Sequence, residues 1–158
     1  MMRLWLVALL LCLPLASLRA EPAAPVDFEL AVLGGGSMAL RELRGQWVVL
    51  NYWATWCGPC RKEIPDLSDL HERNERVTVL GLAYEDTSEA EFFAFLEEYP
   101  ASFPILLVDV MRPPQPFGAP KVLPTTILLD PAGAPVNTWI GPVTSEQIEA
   151  FIGSSPAL

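Results

Sequence analysis

The sequence predicts an α/β fold in three layers, a central mixed β-sheet flanked by helices, and three stretches predict it. Trp47 to Trp53 is an almost unbroken apolar run of the kind found in strands buried on both faces. Val77 to Ala83 is a second strand-like run separated from the first by a helical stretch, which makes the two parallel neighbours joined by a crossover. Thr126 to Asp130 and Pro135 to Ile140 bracket Pro131-Ala132-Gly133-Ala134, a turn between antiparallel partners, so the sheet is mixed.

At 158 residues, 51% of them hydrophobic, the chain has enough material for one domain with a proper core. Its first twenty residues read differently from the rest: Arg3, an apolar run from Leu4 to Leu15, then Ala16-Ser17-Leu18-Arg19-Ala20. This is the pattern of a secretory signal peptide, shorter than a membrane span and cut after Ala20. Leu18 and Arg19 fit the cleavage pattern poorly, which leaves an uncleaved anchor in the inner membrane as the alternative. Residues 21–25 read as a linker, 26–153 as the domain and 154–158 as a tail. Without residues 1–20 the chain keeps 8 basic against 19 acidic residues, a balance that argues against nucleic acid and anionic lipid surfaces as partners. Cys57 and Cys60 then remain as an even pair, as expected outside the cytoplasm.

Along the domain, Val26 to Leu30 and Ser37 to Leu40 flank Gly34-Gly35-Gly36, which predicts an N-terminal hairpin. Arg41 to Gln46 is a polar connection into the central strand. From Cys57 to about Asn74 the apolar positions Ile64, Leu67 and Leu70 mark one buried helical stripe, interrupted by Pro65, with His71 expected at the surface near the helix end. Ser88-Glu89-Ala90-Glu91 is a capping box opening a helix to about Tyr99, with Phe92, Phe93, Phe95 and Leu96 expected inside. Phe103 to Val110 reads as a further strand. Pro113, Pro114, Pro116 and Pro120 forbid a regular helix over 111–120 and predict an extended loop. Thr144-Ser145-Glu146-Gln147 caps a last helix through Ile152.

Chemistry concentrates in Trp56-Cys57-Gly58-Pro59-Cys60, directly after the central strand. If a helix begins there, Cys57 sits at its N-terminus, where unpaired amides and the helix dipole favour a thiolate. Cys57 is then the attacking sulfur, and Cys60, one turn in, the sulfur that resolves a mixed disulfide. A zinc half-site and a purely structural bridge are the other readings of this spacing. Zinc wants four ligands, and beyond this pair the chain offers only Cys12 and His71. A structural bridge closing so small a loop removes little entropy from the unfolded chain.

Asn51 to Cys60, read as Asn-Tyr-Trp-Ala-Thr-Trp-Cys-Gly-Pro-Cys, resembles the active-site strand and turn of thioredoxin-fold proteins, specifically the TlpA/ResA/DsbE-like branch. Leu123-Pro124-Thr125-Thr126, followed by Ile127 to Asp130, is similar to the segment that carries that family's cis-proline opposite the dithiol. The resemblance spans most of 26–153 and implies a thioredoxin-like fold with an N-terminal hairpin extension and a central strand-helix insertion. The relatives often place a helix where this chain has its proline-rich loop. By the same resemblance Leu123-Pro124 is a cis peptide, Trp56, Gly58, Pro59, Leu123, Pro124 and Thr125 shape the surface where a peptide docks, and Glu63 tunes proton transfer at the dithiol. A glutamate that only complements the helix dipole is the other reading of Glu63. Asn51 stands where thioredoxins proper carry a buried aspartate; it accepts no proton and reads as a hydrogen-bonded polar group in the strand.

The function expected is that of an exported protein thiol-disulfide oxidoreductase without metal or organic cofactor. The resemblance implies a monomeric reductant of protein disulfides, with apocytochrome c as a substrate and a membrane thiol reductase as electron donor. A dithiol oxidase or isomerase, and a redox-inert peptide-binding module, are the alternatives.

Overall fold

A computed structural model of the protein describes residues 23–115 and 117–155. The signal or anchor segment at 1–20, the first two residues of the linker, Pro116 and the last residues of the tail lie outside the described residues. Among the described residues no helix is long and apolar enough to cross a membrane.

Among the described residues seven strands and three α-helices form: β1 (Glu29–Ala31), β2 (Ser37–Ala39), a 3-10 turn (Leu40–Leu43), β3 (Trp47–Trp53), α1 (Gly58–Arg73), β4 (Val77–Ala83), α2 (Glu89–Glu98), β5 (Ile105–Leu107), β6 (Thr125–Leu129), β7 (Pro135–Ile140) and α3 (Ser145–Ser154). The main sheet runs β5-β4-β3-β6-β7. Six of the seven β3 residues are fully buried, as its continuous apolar run requires of a central strand. It pairs in parallel with β4, Trp47 opposite Val77 through Trp53 opposite Ala83, and antiparallel with β6, Asn51 opposite Thr126. Both helices with side-chain caps predicted from sequence carry them: Ser88 and Glu91 complete one capping box, Thr144 and Gln147 the other.

One face of the sheet is packed by the helices. Ile64, Leu67 and Leu70 of α1, Phe92 and Phe95 of α2 and Ile148 of α3 meet Val49, Trp53, Val79 and Leu128 there. The opposite face, with Leu50, Tyr52, Leu80, Leu82 and Ile127, is covered by Val26, Leu40, Leu43 and Phe117, so the third layer is built by the N-terminal extension and the loop before β6. β1 and β2 pair across Gly34, Gly35 and Gly36, all three at positive φ, the conformation that glycine adopts without a steric penalty. The hairpin leans on the outer edge of β5, where Val32 bridges Leu106 and the Leu33 N–H donates to the Ile105 carbonyl at 2.9 Å.

Several expectations are corrected. Phe93 is 47% exposed and points away from the core. At 100° per residue Phe92, Phe95 and Leu96 share a stripe that Phe93 falls outside, so the periodicity itself separates them. His71 is half-buried, and its Nδ1 accepts the Val79 N–H at 3.2 Å, a contact supplied by the neighbouring strand. Burial holds its pKa below the ordinary histidine value. The strand expected over Phe103 to Val110 is reduced to Ile105–Leu107. The polar connection before β3 is partly the 3-10 turn, α1 continues through Pro65, and α3 extends to Ser154.

Candidate active site

β3 ends at Trp53 and α1 begins at Gly58, so the four residues between them lie at the carboxyl end of two parallel strands. Cys57 is the N-cap of α1 and Pro59 occupies the first turn, where its missing N–H costs nothing. Cys57 and Cys60 are joined, S–S 1.99 Å, and Cys57 Sγ also accepts the Cys60 N–H at 3.3 Å. Cys57 is 4% exposed and Cys60 wholly buried, so an incoming sulfur meets Cys57 first. Once the bond is reduced, the first-turn amides face the Cys57 sulfur and favour its thiolate. Trp56 beside it is 65% exposed, and Gly58 and Pro59 lie open to solvent.

Just before β6, the strand that pairs with β3, the Leu123-Pro124 peptide is cis and Pro124 is buried. The Pro124 carbonyl accepts the Gly141 N–H at 2.9 Å, and the Thr125 hydroxyl donates to the Val122 carbonyl at 2.7 Å, which ties this segment to the β7 end and to itself. Leu123 is half-buried between the two cores.

Glu63 is 4% exposed and faces the sheet, away from the solvent side where a residue complementing only the helix dipole would sit. Its Oε1 accepts the Asn51 Nδ2 hydrogen at 2.8 Å and its Oε2 accepts the Val143 N–H at 3.1 Å. Asn51 Nδ2 also donates to Thr126 Oγ1 at 3.0 Å, so β3, β6, α1 and the loop before α3 meet in one polar string. Burial pushes the Glu63 carboxyl above its ordinary value, against the pull of the Asn51 and Val143 hydrogen bonds, and nearby Asp66 adds to the rise. A groove of about 630 Å³ opens beside it, walled by Pro59, Lys62, Asp66, Val143 and Glu146. Asp66 accepts both the Ser145 N–H at 2.6 Å and its hydroxyl at 2.7 Å, fixing the start of α3 and with it the Val143 amide.

A second anchor holds the turn before Cys57. The Glu85 carboxylate accepts the Thr55 N–H at 2.8 Å and its hydroxyl at 2.9 Å, while the Thr55 carbonyl accepts from Arg61 Nη2 at 2.6 Å. The Arg61 guanidinium in turn lies over the Tyr99 ring, 5.3 Å from its centroid.

Of the residues expected at the site, Trp56 to Cys60 form the turn after β3 and the start of α1, Glu63 follows in the same helix, and Leu123, Pro124 and Thr125 lead into and begin β6, where Thr125 pairs with Tyr52 of β3. Thr126, Val143, Glu85, Arg61, Asp66 and Ser145 were not singled out for the site. For Glu85 a signal existed: the β3–β4 register is offset by thirty residues, and continuing it past Trp53–Ala83 sets Thr55 opposite Glu85. For Thr126, Val143, Asp66 and Ser145, partners 75 to 80 residues away left no local pattern.

The AhpC/TSA family profile matches residues 21–134. The thiol-disulfide oxidoreductase ResA of Halalkalibacterium halodurans is 34% identical over 128 residues, covering 80% of this chain and 72% of the relative. Among solved structures, a DsbF homologue from Corynebacterium diphtheriae superposes with a TM-score of 0.73 at 30% identity, over 85% of this chain and 88% of that one. A secreted thiol-disulfide isomerase from Corynebacterium glutamicum does so at 0.69 and 30% identity, over 80% and 81%. With a cysteine pair bonded at the start of α1 on the same thioredoxin-like sheet, the chain belongs to the AhpC/TSA family and is a thiol-disulfide oxidoreductase within it.

Proposed function

We propose that this protein is an exported reductant of protein disulfides, of the kind that keeps apocytochrome c cysteines reduced before haem attachment, supplied with electrons by a membrane thiol reductase. The observation that carries the chemistry is the unequal exposure of the two sulfurs at the helix start, Cys57 outermost and Cys60 beneath it. In the reduced protein the Cys57 thiolate attacks one sulfur of a substrate disulfide, and the other substrate sulfur leaves as a thiolate. Cys60 gives up its proton and attacks the Cys57 sulfur, the mixed disulfide breaks, and the second substrate thiol departs. Two electrons have moved to the substrate, and the Cys57–Cys60 bond remains.

Glu63 is the buried acid-base group for the Cys60 proton, and the loop from Leu123 to Thr125 with Trp56, Gly58 and Pro59 forms the docking surface. Gly58-Pro59 between the cysteines is the pair found in reducing thioredoxins, which supports the direction. The proposed export is supported by the signal-like residues 1–20 and by the structural neighbour described as secreted.

The reduction potential of the Cys57–Cys60 couple, measured in dithiothreitol buffers by tryptophan fluorescence, tests the direction. A value around −270 mV supports a reductant, and one around −120 mV makes the protein an oxidant and ends the cytochrome-maturation reading. Cys57→Ser is expected to abolish disulfide reduction in an insulin assay, whereas Cys60→Ala accumulates mixed disulfides whose partners can be identified. Trapped partners without any cytochrome c would remove that substrate from the proposal.

A further inference from the structure

Asn51 Oδ1 is fully buried and has no hydrogen-bond partner among the described residues. Such an orphan is rare, because an unpaired buried acceptor forfeits its hydration without compensation. Its place explains it. The other end of the same amide, Nδ2, spends both hydrogens, one on Glu63 Oε1 and one on Thr126 Oγ1. Glu63 Oε2 is held by the Val143 N–H. Both carboxyl oxygens therefore face donors, an arrangement suited to the ionised acid alone. A proton added to Glu63 would meet a hydrogen from one side or the other. The Val143 amide can only donate. Asn51 carries a donor and an acceptor on one planar group, and turning it by half a rotation puts Oδ1 where Nδ2 stood. In that place it accepts from a protonated Glu63 and from the Thr126 hydroxyl, which serves as acceptor before the turn and donor after it.

We propose that Asn51 is a positioning residue whose side-chain amide turns with each change in the protonation of Glu63, so that the buried acid gains and loses its proton without leaving its place. The inference rests on the reading of Glu63 as the acid-base partner of the dithiol. The other ionisable groups facing Glu63 are Asp66 on its own helix and Lys62 and Glu146 at the rim of the groove. β3 and β6 contribute none, only Asn51 and Thr126. During resolution Cys60 hands its proton to Glu63, the amide turns, and the neutral acid stays bonded on both oxygens. When the proton leaves to solvent through the groove, the amide turns back.

The test is a pH titration of the isotopically labelled, reduced protein by NMR, following the Glu63 carboxyl carbon and the Asn51 side-chain NH2 pair together. The expected result is one shared midpoint, above the ordinary glutamate range. Glu63→Gln supplies a second reading, since its amide presents a donor and an acceptor at all pH values. The Asn51 NH2 pair should then hold its low-pH position across the whole range. An Asn51 pair that stays constant while Glu63 titrates overturns the proposal, as does an Asn51 pair in Glu63→Gln that matches the high-pH form. Failure of the underlying reading looks different: Asn51 and Glu63 would titrate together, yet Glu63→Gln would resolve mixed disulfides as fast as the parent protein.

Discussion

Replacing Glu63 by Gln tests how its buried carboxyl couples stability to pH. The carboxyl is raised above its ordinary value of 4.5, chiefly by burial. The folded protein therefore holds this proton at pH values where the unfolded chain has already released it. The stability contribution is fully present below the unfolded value and is lost as pH rises through the folded one. One proton is at stake, so stability falls by at most about 1.4 kcal/mol for each pH unit within that window and levels off above it. Glu63→Gln keeps a partner for Asn51 and for the Val143 N–H but carries no charge at any pH. The variant should match the parent at the acid end and exceed it increasingly toward neutral pH. Urea unfolding of both oxidised proteins at half-unit pH steps measures the difference, and additional groups cancel because they are common to both. A difference that does not change with pH, or one that grows toward acid, would refute the burial argument.

Four further substitutions probe the frame around the site. Gly81 lies in β4 where a Cβ would come within 2.8 Å of Ile105 Cδ1 and 2.9 Å of both Phe103 and the Trp53 indole nitrogen. Gly81→Ala should cost about 1–3 kcal/mol in urea unfolding and perturb Trp53 fluorescence; full stability would mean that this packing yields easily. Glu85→Ala removes the acceptor for the Thr55 N–H and hydroxyl, so hydrogen exchange at Thr55 should quicken with a stability loss of about 1 kcal/mol, while unchanged exchange would show the turn to be held by Arg61 alone. Asp66→Ala and Ser145→Ala should each destabilise, and a double-mutant cycle should give a coupling of about 1 kcal/mol; additive losses would dissolve the clamp.

The sheet was legible because its signals are local. An apolar run such as Trp47–Trp53, a glycine turn at 34–36 and two capping boxes each declare themselves within a few residues. The dithiol was legible for the same reason, its chemistry being written into adjacent positions. What surrounds it was not. Asn51 read as a hydrogen-bonded polar group in the strand, but its partners could not be named, because Glu63 and Thr126 arrive from a helix and from a strand far down the chain. His71 looked like a surface residue because the Val79 amide that engages it belongs to the next element. Phe93 is the opposite case, a local pattern weighed as bulk hydrophobicity when helical phase already placed it outside the stripe.

The hairpin at the start of the domain has a bearing beyond the core it helps to cover. A sheet whose last strand ends in free peptide groups offers a template on which foreign chains can stack. On the β5 side that template is already occupied by Val32 and Leu33. The extension thus makes one border of the sheet unavailable to incoming strands, and confines strand-on-strand growth to the β7 border, at whose end the Pro124 segment is moored through Gly141.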